Sequence, residues 1–338
     1  MYNDYLGRLL GGDLNELKES VEKMDAQKVD QRMFSDETFS EYETTLGDSF
    51  SVSGIGTFFG NTKRTLNFEP CGEFGWWFDR KDKPKALPIP VSINSVWTTR
   101  RNIVLSSGAP SNYMRMVEHI IALRVGLGLD NITIKIDSGD PPLFDESSLG
   151  MVEKILLAGI VPTKKKAKIV TVKEPVTLGG PNGSFLTIFP AKKGSPKLSI
   201  DCAVDFNNCM GKERIQFDVT KDIFKYGSYA RTNANMSMLL GGYTIGKLFA
   251  DTRNLGYNTK NILIAGPWCY MNKARLEHKG KLLEPVWHRA TLDLLAAIAL
   301  IDKGRLAGRI VSYKAGHALD VDMVSELYKQ DILEEMQM

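Results

Sequence analysis

Strand-like and helix-like segments alternate along this chain in two successive rounds, which restricts it to a mixed α/β architecture. In the first round Ile132, Ile134 and Ile136 recur at every second residue, the pattern of a half-buried strand. A helix is predicted ahead of it, opened by Ser111-Asn112, carrying Met114, Val117, Ile120, Ile121 and Leu123, and closed by Gly126 and Gly128. Another is predicted over 151–160. Residues 50–70 read as short β-runs broken by Gly54, Gly56 and Gly60. That spacing is one residue too long for a dinucleotide fingerprint and no helical pattern follows, so the segment is predicted to be a hairpin. The second round has strands near 169–172, 184–189 and 198–204, a helix over 285–301, a strand at 309–313 and a closing helix from Asp322.

At 338 residues the chain exceeds the size at which one core usually keeps growing, and two domains are expected. The predicted boundaries are an amino-terminal helical extension over 1–45, a first α/β domain over 46–163 and a second over 168–338, with 162–168 as the connector. In the extension, Leu14, Leu17, Val21, Met24 and Val29 fall at helical spacing. Such a helix either covers an edge of its own fold, the commoner case, or contacts a protein partner.

With 43% hydrophobic and 25% charged residues, the composition is that of a soluble globular protein. A net charge of +3 gives no argument for nucleic acid or a membrane surface. Lys164-Lys165-Lys166 is a short solvated run. Cys71, Cys202, Cys209 and Cys269 have neither metal-type spacing nor the density of a disulfide framework, which points to a reducing cytoplasm. No signal-peptide core opens the chain, and no segment approaches the ~20 apolar residues of a membrane span.

Chemistry concentrates in three places: Glu118-His119, the group His288, Arg289 and Asp293, and Gly316-His317-Ala318-Leu319. These hold three of the four histidines. Nitrogen and carboxylate donors brought together from distant segments suit a metal-dependent hydrolase. The plainer alternative has Glu118 pairing on a helix and the histidines satisfied as ordinary polar residues. The apolar stretches at Met238-Leu239-Leu240 and 243–249 read as core or as the lining of an apolar passage.

These segments resemble the UDP-3-O-acyl-N-acetylglucosamine deacetylases, zinc amidohydrolases of lipid A synthesis. The resemblance runs in order through Ser53-Gly54-Ile55-Gly56, Thr65-Leu66-Asn67-Phe68-Glu69-Pro70, Val117-Glu118-His119, Gly126-Leu127-Gly128-Leu129-Asp130-Asn131 and Asp145-Glu146-Ser147-Ser148. It continues with Ala230-Arg231-Thr232, the His288 segment and Tyr313-Lys314-Ala315-Gly316-His317-Ala318-Leu319. It implies two α/β domains with their helices sandwiched between two sheets, and an acylated UDP-amino sugar as substrate. It also implies zinc held by two histidines and an aspartate, here His119, His288 and Asp293. Glu118 would be the general base, His317 would protonate the leaving amine or stabilise the developing charge, and Thr232 would donate to the oxyanion.

One spacing departs from the family. Its second histidine lies four residues before the aspartate, about 40° apart on an α-helix, whereas His288 lies five before Asp293, about 140° apart. Either a π-bulge absorbs the extra residue and His288 serves as ligand, or the helix is regular, Arg289 fills the metal position and its cation replaces zinc opposite Asp293. Ala297 stands where a further acid is expected beside His317. Gly56-Thr57-Phe58 lacks the family's histidine, and Asn233-Ala234-Asn235 alters the loop after Thr232. Two functions follow: a cytoplasmic zinc deacetylase, or a non-catalytic relative, a pseudoenzyme acting as a binding or scaffold protein.

Overall fold

A computed structural model describes residues 4–57, 62–100, 102–235 and 258–336; the apolar run 238–249 lies outside them. Two seven-stranded sheets dominate. Asn131–Ile136 lies inside the first, antiparallel to Lys63–Pro70 and parallel to Gly75–Arg80. Ile132, Ile134 and Ile136 are wholly buried on one face, while Lys135 on the other reaches Glu69 at 2.6 Å. Phe50–Ile55 folds back on Lys63–Pro70 as the predicted hairpin.

The second sheet runs Arg8–Gly11, Val176–Gly179, Phe185–Phe189, Gly308–Tyr313, Leu198–Asp205, Lys212–Asp218, Gln31–Met33 in spatial order. Six helices appear among the described residues: α1 (Leu14–Asp25), α2 (Glu118–Leu127), α3 (Leu149–Ala158), α4 (Lys221–Gly227), α5 and α6 (His317–Lys329). The composite α5 is α-helical over Glu284–His288, π-helical over Arg289–Leu294 and α-helical again over Leu295–Ile298. A continuous core joins Phe68 and Ile134 of the first sheet to Ile200 and Ile310 of the second through Ile121 of α2 and Trp287 and Leu295 of α5. The helices that carry the chemistry are thus held from both sides by apolar burial.

The amino-terminal segment is woven into the second sheet. Arg8–Gly11 and Gln31–Met33 form its two edges, each pairing in parallel with its neighbour. Between them α1, capped by the Asp13 side chain on the Asn15 and Glu16 amides, lays Leu17, Val21 and Met24 against Phe185, Ala203, Val311 and Tyr313. No helix among the described residues is long and apolar enough to cross a membrane.

Two local expectations need correction. The helix predicted from Ser111-Asn112 begins at Glu118, because Tyr113–Met114 pairs with Val104–Ser106 and Met116 takes a left-handed φ of 50° that a helix cannot continue through. The connector predicted over 162–168 is mostly strand. Ile160–Lys166 pairs antiparallel with Tyr42–Leu46 at an edge of the first sheet, where exposed lysines guard the open hydrogen-bonding groups.

Candidate active site

The left-handed turn at Met116 places Glu118 and His119 in the first turn of α2, and Gly128 closes the helix in αL at φ 59°. A Cβ on Gly128 would lie 2.4 Å from the Phe39 ring, so this C-cap needs glycine on both conformational and steric grounds. Glu118 is buried, and its Oε1 accepts the Ile103 amide. Burial pushes its carboxyl up to about 7, against the opposing pull of His317. His119 is turned inward, and burial together with neighbouring His288 pushes its imidazole down to about 3.

Three atoms meet at the centre. His119 Nε2 lies 3.1 Å from Thr232 Oγ1 and 3.4 Å from His288 Nε2, and Thr232 Oγ1 lies 3.2 Å from His288 Nε2. Behind them Asp293 places Oδ2 3.6 Å from His288 Nδ1 and Oδ1 3.6 Å from His317 Nδ1. These contacts are too long for hydrogen bonds and act through charge. Burial raises the Asp293 carboxyl, but His288 and His317 outweigh it and hold the group well below the usual carboxylate range. Burial opposes the charge on His317, yet Asp293, and then Glu118, raise it to about 9.

The π-turn brings His288 and Asp293 together. Residues five apart stack along a π-helix as residues four apart do along an α-helix. Thr291 helps hold the turn, its hydroxyl bonding the Trp287 carbonyl at 2.6 Å. Gly227 makes room: a Cβ there would sit 2.5 Å from Thr291 Cγ2.

The same widening turns Arg289 away from the metal position suggested by a regular helix. Its ion pair is with Asp320, at 2.5 Å, and its Nε donates to the Ala315 carbonyl at 2.7 Å. The missing acid at position 297 is likewise compensated, because Asp293 itself stands beside His317.

The chain matches the family model described as UDP-3-O-acyl N-acetylglycosamine deacetylase over residues 43–329. It belongs to that family. Curated relatives named UDP-3-O-acyl-N-acetylglucosamine deacetylase from Brucella ovis and Brucella canis are each 24% identical over 294 residues, covering 86% of this chain and 96% of theirs.

Several residues of this family member that position the site carry no chemical signature in sequence. Ser147 Oγ lies 3.3 Å from His119 Nδ1, and Ser148 Oγ donates to the His119 carbonyl at 2.7 Å, which fixes the ring from behind. Arg231 forms a buried pair with Glu284 at 2.7 Å, tying the Thr232 strand to the start of α5. The Asp145-Glu146-Ser147-Ser148 and Ala230-Arg231-Thr232 segments stood out as motifs, but nothing in them announced these partners.

The fit of a zinc ion can be judged from the donors. Two nitrogens on a tetrahedral zinc at 2.0–2.1 Å lie about 3.4 Å apart, the separation of the His119 and His288 Nε2 atoms. The imidazole pair fits. Asp293 does not complete a ligand set with them, because it lies against Nδ1 of His288 and is shared with His317. Among the described residues no three His, Cys, Asp or Glu side chains are grouped to hold a metal.

Proposed function

We propose that this chain hydrolyses the N-acetyl group of an acylated UDP-amino sugar, releasing acetate and a free amine, in an aqueous reducing compartment that keeps its four cysteines as thiols. The observation that carries the reading is the convergence of His119, His288 and Thr232 within 3.4 Å of one another, flanked by Glu118 and the Asp293–His317 pair. His119 and His288 would hold zinc, with Asp293 orienting the His288 ring. When bound, zinc supplies Lewis-acid polarisation and a water of lowered pKa.

The residues do the rest. Glu118, poised near neutrality, takes a proton from the attacking water. Thr232 Oγ1 donates to the oxygen that gains charge as the acetamide carbon becomes tetrahedral. His317, charged at neutral pH beside Asp293, gives its proton to the amine nitrogen as the C–N bond breaks.

A second reading, a non-catalytic relative that binds the sugar nucleotide, is favoured by one observation: the carboxylate that would be the third ligand is engaged by two imidazoles. Zinc content and acetate release separate the two. The hydrolase reading expects about one zinc per chain, lost in His288→Ala. It also expects Glu118→Gln to keep the metal and lose turnover by a factor of roughly 10² or more. Metal-free wild-type protein that binds but never cleaves the substrate establishes the second reading instead.

A further inference from the structure

A cavity of about 410 Å³ opens at the carboxy-terminal end of α2, and none of Glu118, His119, Thr232, His288, Asp293 or His317 lines it. Its volume lies in the range of small-molecule sites. Much of its wall is apolar, including Val125, Leu198, Val219, Ile298 and Leu306. Three cations line it, and two are neutralised: Arg305 by Asp130 at 2.5 Å and Lys197 by Asp36 at 3.2 Å. The third, Arg124, is only 6% exposed. Its Nη1 donates to the Ala299 carbonyl at 2.7 Å and more distantly to Val91, and its guanidinium lies over the Phe74 ring at 5.4 Å. No carboxylate of the described residues pairs with it, and burial pulls its pKa down, with Asp130 and Asp302 offsetting part of that effect.

A buried guanidinium without a counter-ion is costly unless something supplies the charge. The Ala299 carbonyl at the end of α5 and the Val91 carbonyl satisfy part of its donor fork but bring no negative charge. Of the acids around the cavity, Asp130 is committed to Arg305, and Asp218 accepts from Ser199 Oγ at 2.6 Å and from the Ser35 amide. Glu37 and Glu41 face solvent. We propose that the cavity binds a small carboxylate with an apolar tail, the head group paired with Arg124 and the tail against the aliphatic wall. A monoanion matches the single unpaired cation and the planar fork. A phosphate dianion would bring surplus charge towards Asp130 and Asp218.

Calorimetric titration of the full chain with octanoate, and with 1-octanol as the uncharged tail, tests this. Wild type should bind one octanoate and bind octanol at least tenfold more weakly. Arg124→Gln, which retains a donor for the Ala299 carbonyl, should weaken octanoate at least tenfold. Pro196→Trp, at the partly exposed wall, should do the same by filling the space while leaving Arg124 intact, and it carries the test if Arg124→Gln does not fold. The proposal is overturned by octanoate that fails to bind wild type, by octanol binding equally well, or by octanoate binding that survives Pro196→Trp or a folded Arg124→Gln.

Discussion

Arg289 follows His288 directly in sequence, yet the two side chains serve different neighbourhoods because the π-turn begins between them. His288 faces His119, whereas Arg289 is sealed against Asp320, itself fully buried, and against the loop that delivers His317. A buried pair of this kind is weak evidence for net stability, but breaking one half leaves a charge with no partner. Arg289→Ala should therefore cost about 3–5 kcal/mol in urea denaturation, and Arg289→Met combined with Asp320→Leu should recover most of it. A loss below ~1 kcal/mol for the single change would mean that Asp320 is satisfied in another way. Glu118, His119, Asp293 and His317 were legible as candidates because their residue types bear chemistry. Asp320 was not, since its importance depends on an arginine 31 residues away that only the tertiary fold brings near.

Among the elements, α1 shows how an amphipathic helix finds its face. Burying Leu17, Val21 and Met24 contributes at most roughly 5–9 kcal/mol at about 1.5–3 kcal/mol per side chain, comparable to the net stability of many domains. Leu17→Ala, which opens a cavity over Phe185 and Tyr313, should cost about 2–5 kcal/mol, read as a lowered thermal midpoint with no partner present. An unchanged midpoint would show that α1 docks loosely. The helical spacing of this segment was readable, as was the alternation that makes 131–136 a strand. The short strands 8–11 and 31–33 were not, because such brief edges owe their form to the strands they pair with rather than to any pattern of their own. Five-residue spacing left two readings open at 288–293, a widened turn or a regular helix with Arg289 in the metal position, and the π-turn is the one present. A sequence cannot say whether a turn widens, because that depends on the room Gly227 leaves for Thr291.

At the scale of the whole molecule, the second sheet is joined to α5 through Glu213. This buried side chain accepts the Val286 amide at 3.0 Å and leaves its other oxygen without a partner. Burial pushes its carboxyl up to about 8, with the Val286 amide opposing. The unfolded chain releases that proton near 4.5, so between about 4.5 and 8 the folded state holds more protons and stability falls as pH rises. The thermal midpoint should decline from pH 5 to pH 8, and less steeply in Glu213→Gln; equal slopes would remove Glu213 as the cause. The same sheet has an order-of-assembly problem built into it. Its two edge strands lie near the start of the chain, but they pair with residues 176–178 and 215–217. At 5–20 residues per second those partners are synthesised on the order of 10–40 s later. During that interval α1 has no sheet to cover and its apolar face is open to wrong partners, so a chaperone that shields it at the ribosome should raise the yield of folded chain. Of this sheet's strands, the first to be made thus waits through about half of the chain's synthesis for its partner.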